Sequence, residues 1–121
     1  MIGTLHSVVI DCPDPHSLAS FYSQLVSLPI VSTSDDWVVV GSDSDASAPR
    51  LAFQLAPNLQ PPKWPDESRP QQFHLDVRVD DVDAAEQQVL RLGATRLPGE
   101  GSDFRVYADP AGHPFCLVFD V

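Results

Sequence analysis

Basic residues are scarce in this chain: seven Lys and Arg stand against seventeen Asp and Glu, giving a formal net charge of −10. A surface this acidic repels phosphate backbones and anionic lipid, so neither nucleic acid nor a membrane surface is expected as a partner. No apolar run is long enough to span a bilayer. The opening MIGTLHSVVI also lacks the basic start and small-residue cleavage site of a secretory signal, so the expected location is cytoplasmic. Cysteine is nearly absent. Cys12 and Cys116 fall inside strand patterns, which reads as two reduced buried thiols rather than a disulfide framework. Glycine is sparse as well. Gly99 and Gly101 flank Glu100 in a simple turn with no helix after it, so no phosphate-cradling loop is present. The spacings of a serine nucleophile elbow and of a zinc finger are missing too.

What is there is organised around FHLDVRVDDVDAAEQQVLRLGA, residues 73–94. Phe73, Leu75, Val77 and Val79 alternate with His74, Asp76 and Arg78, the period of a strand with one apolar and one ionisable face. Asp80 or Asp81 can then cap a helix whose apolar positions are Val82, Ala85, Val89 and Leu92. Asp83 suits the positive end of its dipole, and Gly93 stops it. The start of the chain echoes this stretch. Aligning His6 with His74 lays LHSVVIDC (5–12) on FHLDVRVD, and the helical pattern Leu18, Phe21, Leu25, Leu28 matches the second helix, with Pro29 standing where Gly93 stands. Two copies in 121 residues predict two like modules in one domain: module one over 1–56, a linker over 57–71, and module two over 72–121.

The remaining segments complete each copy. Asp14 is the expected N-cap of the first helix, with Pro15 in its first turn. Residues 30–33 and 37–41 read as a hairpin around SDD, and RLAFQLA (50–56) as the fourth strand. The linker holds five prolines between Pro57 and Pro70 and cannot be regular structure. Lys63, Trp64 and Arg69 give it groups that could touch a ligand. Past the second helix, LGATRLPGEG (92–101) reads as a short strand and turn, and 104–108 and 115–120 as strands around the turn DPAGHP. Each module is therefore βαβββ, and the class is α+β with mixed sheets.

These features together resemble the vicinal oxygen chelate superfamily, which includes glyoxalase I, bleomycin-resistance proteins and extradiol dioxygenases. The words IDCPDPHSLASFY, FHLDVRVDDVDAA and YADPAGHPFCL resemble its glyoxalase-like domain proteins in particular. The resemblance implies an incomplete barrel around one cavity, with a metal site drawn from the first and last strands of each module. On this sequence those positions fall at His6, Gln54, His74 and Cys116. It also implies a homodimer. Two imidazoles, an amide and a thiolate would suit zinc better than magnesium or manganese, but no resident cofactor is the primary expectation. Members similar to glyoxalase I carry carboxylates where Gln54 and Cys116 stand, and an amide cannot act as a base, so glyoxalase I chemistry is not expected.

Other residues are weighed on the same strands. Asp76 and Arg78 share the His74 face, and Asp76 is the carboxylate that could act as a base or hold a cation; an Asp76–Arg78 ion pair is the structural alternative. Tyr107 and Arg105 alternate with Phe104 and Val106, and only one of the two pairs can face a cavity. If it is Tyr107, its ring could grip a planar ligand. Trp64 is a candidate plug or ligand contact. His113 and His16 read as solvated. Two functions follow: a small-molecule-binding module, expected first, or a metal-assisted lyase, isomerase or dioxygenase of the same superfamily, in which Asp76 or a water does the proton work.

Overall fold

The computed structural model describes residues 2–71 and 73–120. The chain divides into two compact units, Met1–Leu59 and Gln60–Val121, so most of the proline-rich segment belongs to the second. Among the described residues no helix is long and apolar enough to cross a membrane.

The first unit runs β1 (Ser7–Cys12), α1 (Pro15–Val26), β2 (Ile30–Thr33), β3 (Trp37–Val40), β4 (Arg50–Leu55), with sheet order β1-β4-β3-β2. The α1 crossover makes β1 parallel to β4, while the two hairpin contacts are antiparallel. Asp14 caps α1 by accepting from the Ser17 N–H at 3.1 Å, and Ser27 ends the helix with φ of 58°. Leu18, Phe21 and Tyr22 of α1 are buried. The Tyr22 ring lies 5.3 Å from that of Phe53, whose register partners are Ile10 and Val38. The core of this unit is thus the space between α1 and one sheet face. The opposite face carries Val9 and Trp37, 41% and 37% exposed.

The second unit repeats the order: β5 (Leu75–Arg78), α2 (Val82–Arg91), β6 (Thr95–Leu97), β7 (Phe104–Ala108), β8 (Pro114–Val118), with sheet order β5-β8-β7-β6. Asp81 is the cap, accepting from the Ala84 N–H at 3.1 Å, and Gly93 leaves the helix at φ of 107°, a conformation that favours glycine. Asp83 in the first turn and Arg91 in the last both complement the dipole.

A polar network ties α2 to its sheet. The Tyr107 hydroxyl donates to Glu86 Oε1 at 2.8 Å, Arg96 pairs with Glu86, and Arg105 reaches Asp83 at 3.0 Å and Glu86 at 3.4 Å. Burial alone would raise the Glu86 carboxyl. The Tyr107 hydroxyl and the two guanidinium groups outweigh it and hold the group below the usual value. Burial first, then Glu86, pushes the Tyr107 hydroxyl up to about 12. A folded pKa above the unfolded one contributes stability that is complete below pH ~10 and lost as the pH climbs through the folded value. Between about pH 9 and 11.5 the wild type should therefore lose on the order of 2 kcal/mol more than Tyr107→Phe. Urea midpoints at the two pH values check this, and equal losses would contradict it.

The DPAGHP turn is built on one carboxylate. Asp109, whose side chain is fully buried, accepts from the Ala111 N–H at 2.8 Å and the His113 N–H at 3.0 Å, and its other oxygen lies 2.8 Å from His113 Nδ1. His113 is thus an anchored residue of the turn, not a solvated one. The paired imidazole and carboxylate fix where β8 begins.

Candidate functional site

Alternation along β5 puts His74 and Asp76 on one face and Leu75 and Val77 on the other. Parallel pairing brings Cys116 of β8 opposite Asp76, and antiparallel pairing brings Val106 of β7 opposite Cys116. One row of the sheet therefore reads carboxylate, thiol, isopropyl. His74 Nε2 lies 3.2 Å from Asp76 Oδ1, and the ligating atoms of His74, Asp76 and Cys116 all lie within 4.8 Å of one another. They form the polar corner of a concavity of about 700 Å³, whose apolar bed is Phe104, Val106 and Val118 with Trp64 at its side. The Trp64 indole N–H donates to the Pro98 carbonyl at 2.7 Å, which fixes the ring there.

His74 and Asp76 are partly open to solvent, with side chains 37% and 57% exposed, whereas Cys116 is 6% exposed. Burial, and then the neighbouring Asp76 carboxylate, push the Cys116 thiol up to about 11. The thiol is therefore protonated at neutral pH, and a cation would have to displace that proton to use the sulfur.

Trp64, His74, Asp76 and Cys116, all expected at a site, are thus brought together. Arg78 is exposed one step further along β5, opposite Val118. Tyr107 departs from its expected place: it is fully buried on the far face of β7, stacked on Phe115 at 5.5 Å and bonded to α2, so Phe104 and Val106 face the concavity instead. Those two are the pair that the sequence left open, and Gln71, Gly99, Asp103 and Val118 are the lining residues that sequence reasoning missed. The acidic Glu86 on the buried side of α2 was the available signal, because a tyrosine hydroxyl beneath a helix needs such a partner.

The first unit holds His6 and Gln54 apart. The His6 carbonyl accepts from the Arg50 N–H, while Gln54 lies four residues further along β4, opposite Asp11. That is about 13 Å of strand. The repeat also runs in a different register from the one the two histidines suggest. The N-cap Asp81 follows His74 by seven residues, and the N-cap Asp14 follows Ser7 by seven. The helix-covered faces agree, since Val8 and Ile10 match Leu75 and Val77. The counterparts of His74, Asp76 and Cys116 in the first unit are therefore Ser7, Val9 and Ala52, none with an imidazole, carboxylate or thiol.

A family model described as a glyoxalase-like domain matches residues 7–118. The chain belongs to this family, within the vicinal oxygen chelate superfamily. Solved structures agree on the fold. An enzyme of the glyoxalase/bleomycin resistance protein/dioxygenase family from Burkholderia phytofirmans PsJN is 20% identical, with 98% of this chain and 100% of that one covered, at a TM-score of 0.73. The fosfomycin resistance protein FosX from Mesorhizobium loti is 16% identical over 98% and 92%, with a TM-score of 0.71. TnmS3, an antibiotic binding protein from Streptomyces sp. CB03234, is 19% identical over 98% and 96%, with a TM-score of 0.61. No curated protein matches the chain.

The superfamily often uses a divalent metal. The donor set here fits one kind: an imidazole, a carboxylate and a thiol suit a thiophilic, four-coordinate ion such as zinc, not the octahedral oxygen shell that magnesium requires.

Proposed function

We propose that the chain is a small-molecule-binding domain, built of two modules, whose ligand rests on the concave face of the second unit. The observation that carries this reading is the combination of an apolar bed with a few polar groups, His74 and Asp76 at one corner and Gln71 and Asp103 elsewhere on the lining, the usual make-up of a ligand pocket. Phe104, Val106, Val118 and the fixed face of Trp64 supply area. His74 and Asp76 supply orientation. The Asp76 carboxylate and the −10 charge of the chain favour an aromatic cation over an aromatic anion. That TnmS3 is an antibiotic binding protein and FosX a fosfomycin resistance protein supports the reading without naming this ligand. In a thermal-shift screen of aromatic amines against aromatic acids of similar size, the amines should raise the melting temperature. A ligand at 100 times its Kd adds about 2.7 kcal/mol. Asp76→Lys, at an exposed position, should abolish that gain. Silence from both classes, or equal gains in the variant, would overturn the reading.

The second reading, a metal-assisted lyase, isomerase or dioxygenase, is favoured by the proximity of His74, Asp76 and Cys116. A bound cation would supply Lewis acidity. This chain would contribute a carboxylate, Asp76, for proton work and a dry apolar wall behind it. Asp76 cannot hold the cation and serve as base at once, which is why the binding reading is preferred.

A further inference from the structure

We propose that the ligand of the concave face is an aromatic zwitterion of the α-amino acid class, whose ammonium meets Asp76 and whose carboxylate meets Arg78. This rests on the small-molecule reading above and deepens it by naming the ligand's second charge. The starting observation is an ion pair that does not form. Asp76 and Arg78 share one face of β5, yet Asp76 pairs with His74 at 3.2 Å, and among the described residues no carboxylate is in ion-pair reach of Arg78. Arg96 and Arg105 each hold two carboxylates, and Arg50 and Arg91 donate to backbone carbonyls. Arg78 does neither.

Strand register sets what can bridge the two charges. Arg78 lies opposite Val118, and Val118 opposite Phe104. Both of those apolar residues line the concavity, so Arg78 stands at its β5 margin next to Asp76. Alternate residues of a strand have Cα atoms about 6.6 Å apart. Charge-assisted hydrogen bonds of about 2.8 Å on either side then leave room for an ammonium and a carboxylate carried on one carbon of the ligand, not on the two ends of a long chain. The planar guanidinium fork suits a carboxylate, which it can take in two parallel bonds. From that carbon a side chain crosses β8 toward β7, two strand spacings or about 9.6 Å, a span that an aromatic ring fills. Val118, Val106 and Phe104 lie beneath it, with Trp64 at the side. Asp103 lines the concavity just before β7, and its charge disfavours a ligand carboxylate at that end. The acid end of the ligand therefore belongs at Arg78.

Isothermal titration with phenylalanine, tyrosine and tryptophan, each against its own α-carboxamide, isolates the second charge, because the amide keeps the ring and the ammonium and lacks only the carboxylate. A pH of about 6.5 keeps the ammonium of both charged. For at least one ring the amino acid should bind about tenfold or more tightly than its amide. Arg78→Gln, at an exposed position, should bring the two within about twofold by weakening the amino acid alone. Asp76→Asn should weaken both alike. Amino acids that bind no tighter than their amides, or a preference that survives Arg78→Gln, would overturn the inference and leave the aromatic-cation reading standing. Absence of binding by the amino acids, the amides and the parent amines alike would overturn both.

Discussion

Replacing Phe53 by alanine is expected to destabilise the protein by about 3–5 kcal/mol, a large part of the total for a domain of ordinary stability. Phe53 is fully buried at the centre of the first sheet. It has Ile10 on one side, Val38 on the other, and the Tyr22 ring 5.3 Å away beneath α1. Truncation removes the transfer free energy of a benzyl group and leaves a cavity that four surrounding elements cannot all move to fill. Measured by circular dichroism, the melting temperature should fall by about 10–20 °C. Gln54→Ala, the next residue on the same strand but exposed, serves as the control and should change it by less than about 2 °C. Comparable losses from the two would mean that the core does not lie between α1 and this sheet face.

The second large effect is expected at Asp109. Its carboxylate is out of contact with solvent and receives two backbone N–H groups and the His113 ring. Asp109→Ala leaves all three without that acceptor, and the expected loss is about 2–4 kcal/mol. Asp109→Asn keeps an oxygen for the two N–H groups, and His113 can adopt the tautomer that accepts from the new amide. It should cost only about 1 kcal/mol. The turn sets where β8 starts, and β8 carries Cys116 and Val118 to the concavity. Asp109→Ala should therefore also weaken ligand gains in the thermal-shift screen, while Asp109→Asn should not. Equal denaturant midpoints for the two variants would show that the turn does not need the buried acceptor.

The elements were legible because both helices announce themselves with an aspartate cap and a breaker, and the strands with clean alternation. Arg50–Leu55 and Phe104–Ala108 lie where RLAFQLA and FRVYA put them. The register of the duplication was not legible from the two histidines. His6 and His74 invite alignment because histidine is rare, but Asp14 and Asp81 are the structurally equivalent pair, and they shift the strands by one residue. One residue in a strand exchanges the two faces, so Ser7 rather than His6 matches His74. The site shows the same limits. His74 and Asp76 could be read as neighbours from spacing alone, and Cys116 from its place in the last strand. The choice between Tyr107 and Val106 as the inward residue needed the partner of the tyrosine hydroxyl, a contact between residues 21 positions apart in the chain.

The central claim is that ligands bind on the second unit's concave face, beside the polar corner of His74 and Asp76. The chain has two tryptophans, and only Trp64 lines that face. In a Trp37→Phe background, Trp64 emission should change in step with the melting-temperature gain for every stabilising small molecule, and Asp76→Lys should abolish both. A compound that stabilises the protein at saturation while Trp64 emission stays constant would contradict the claim.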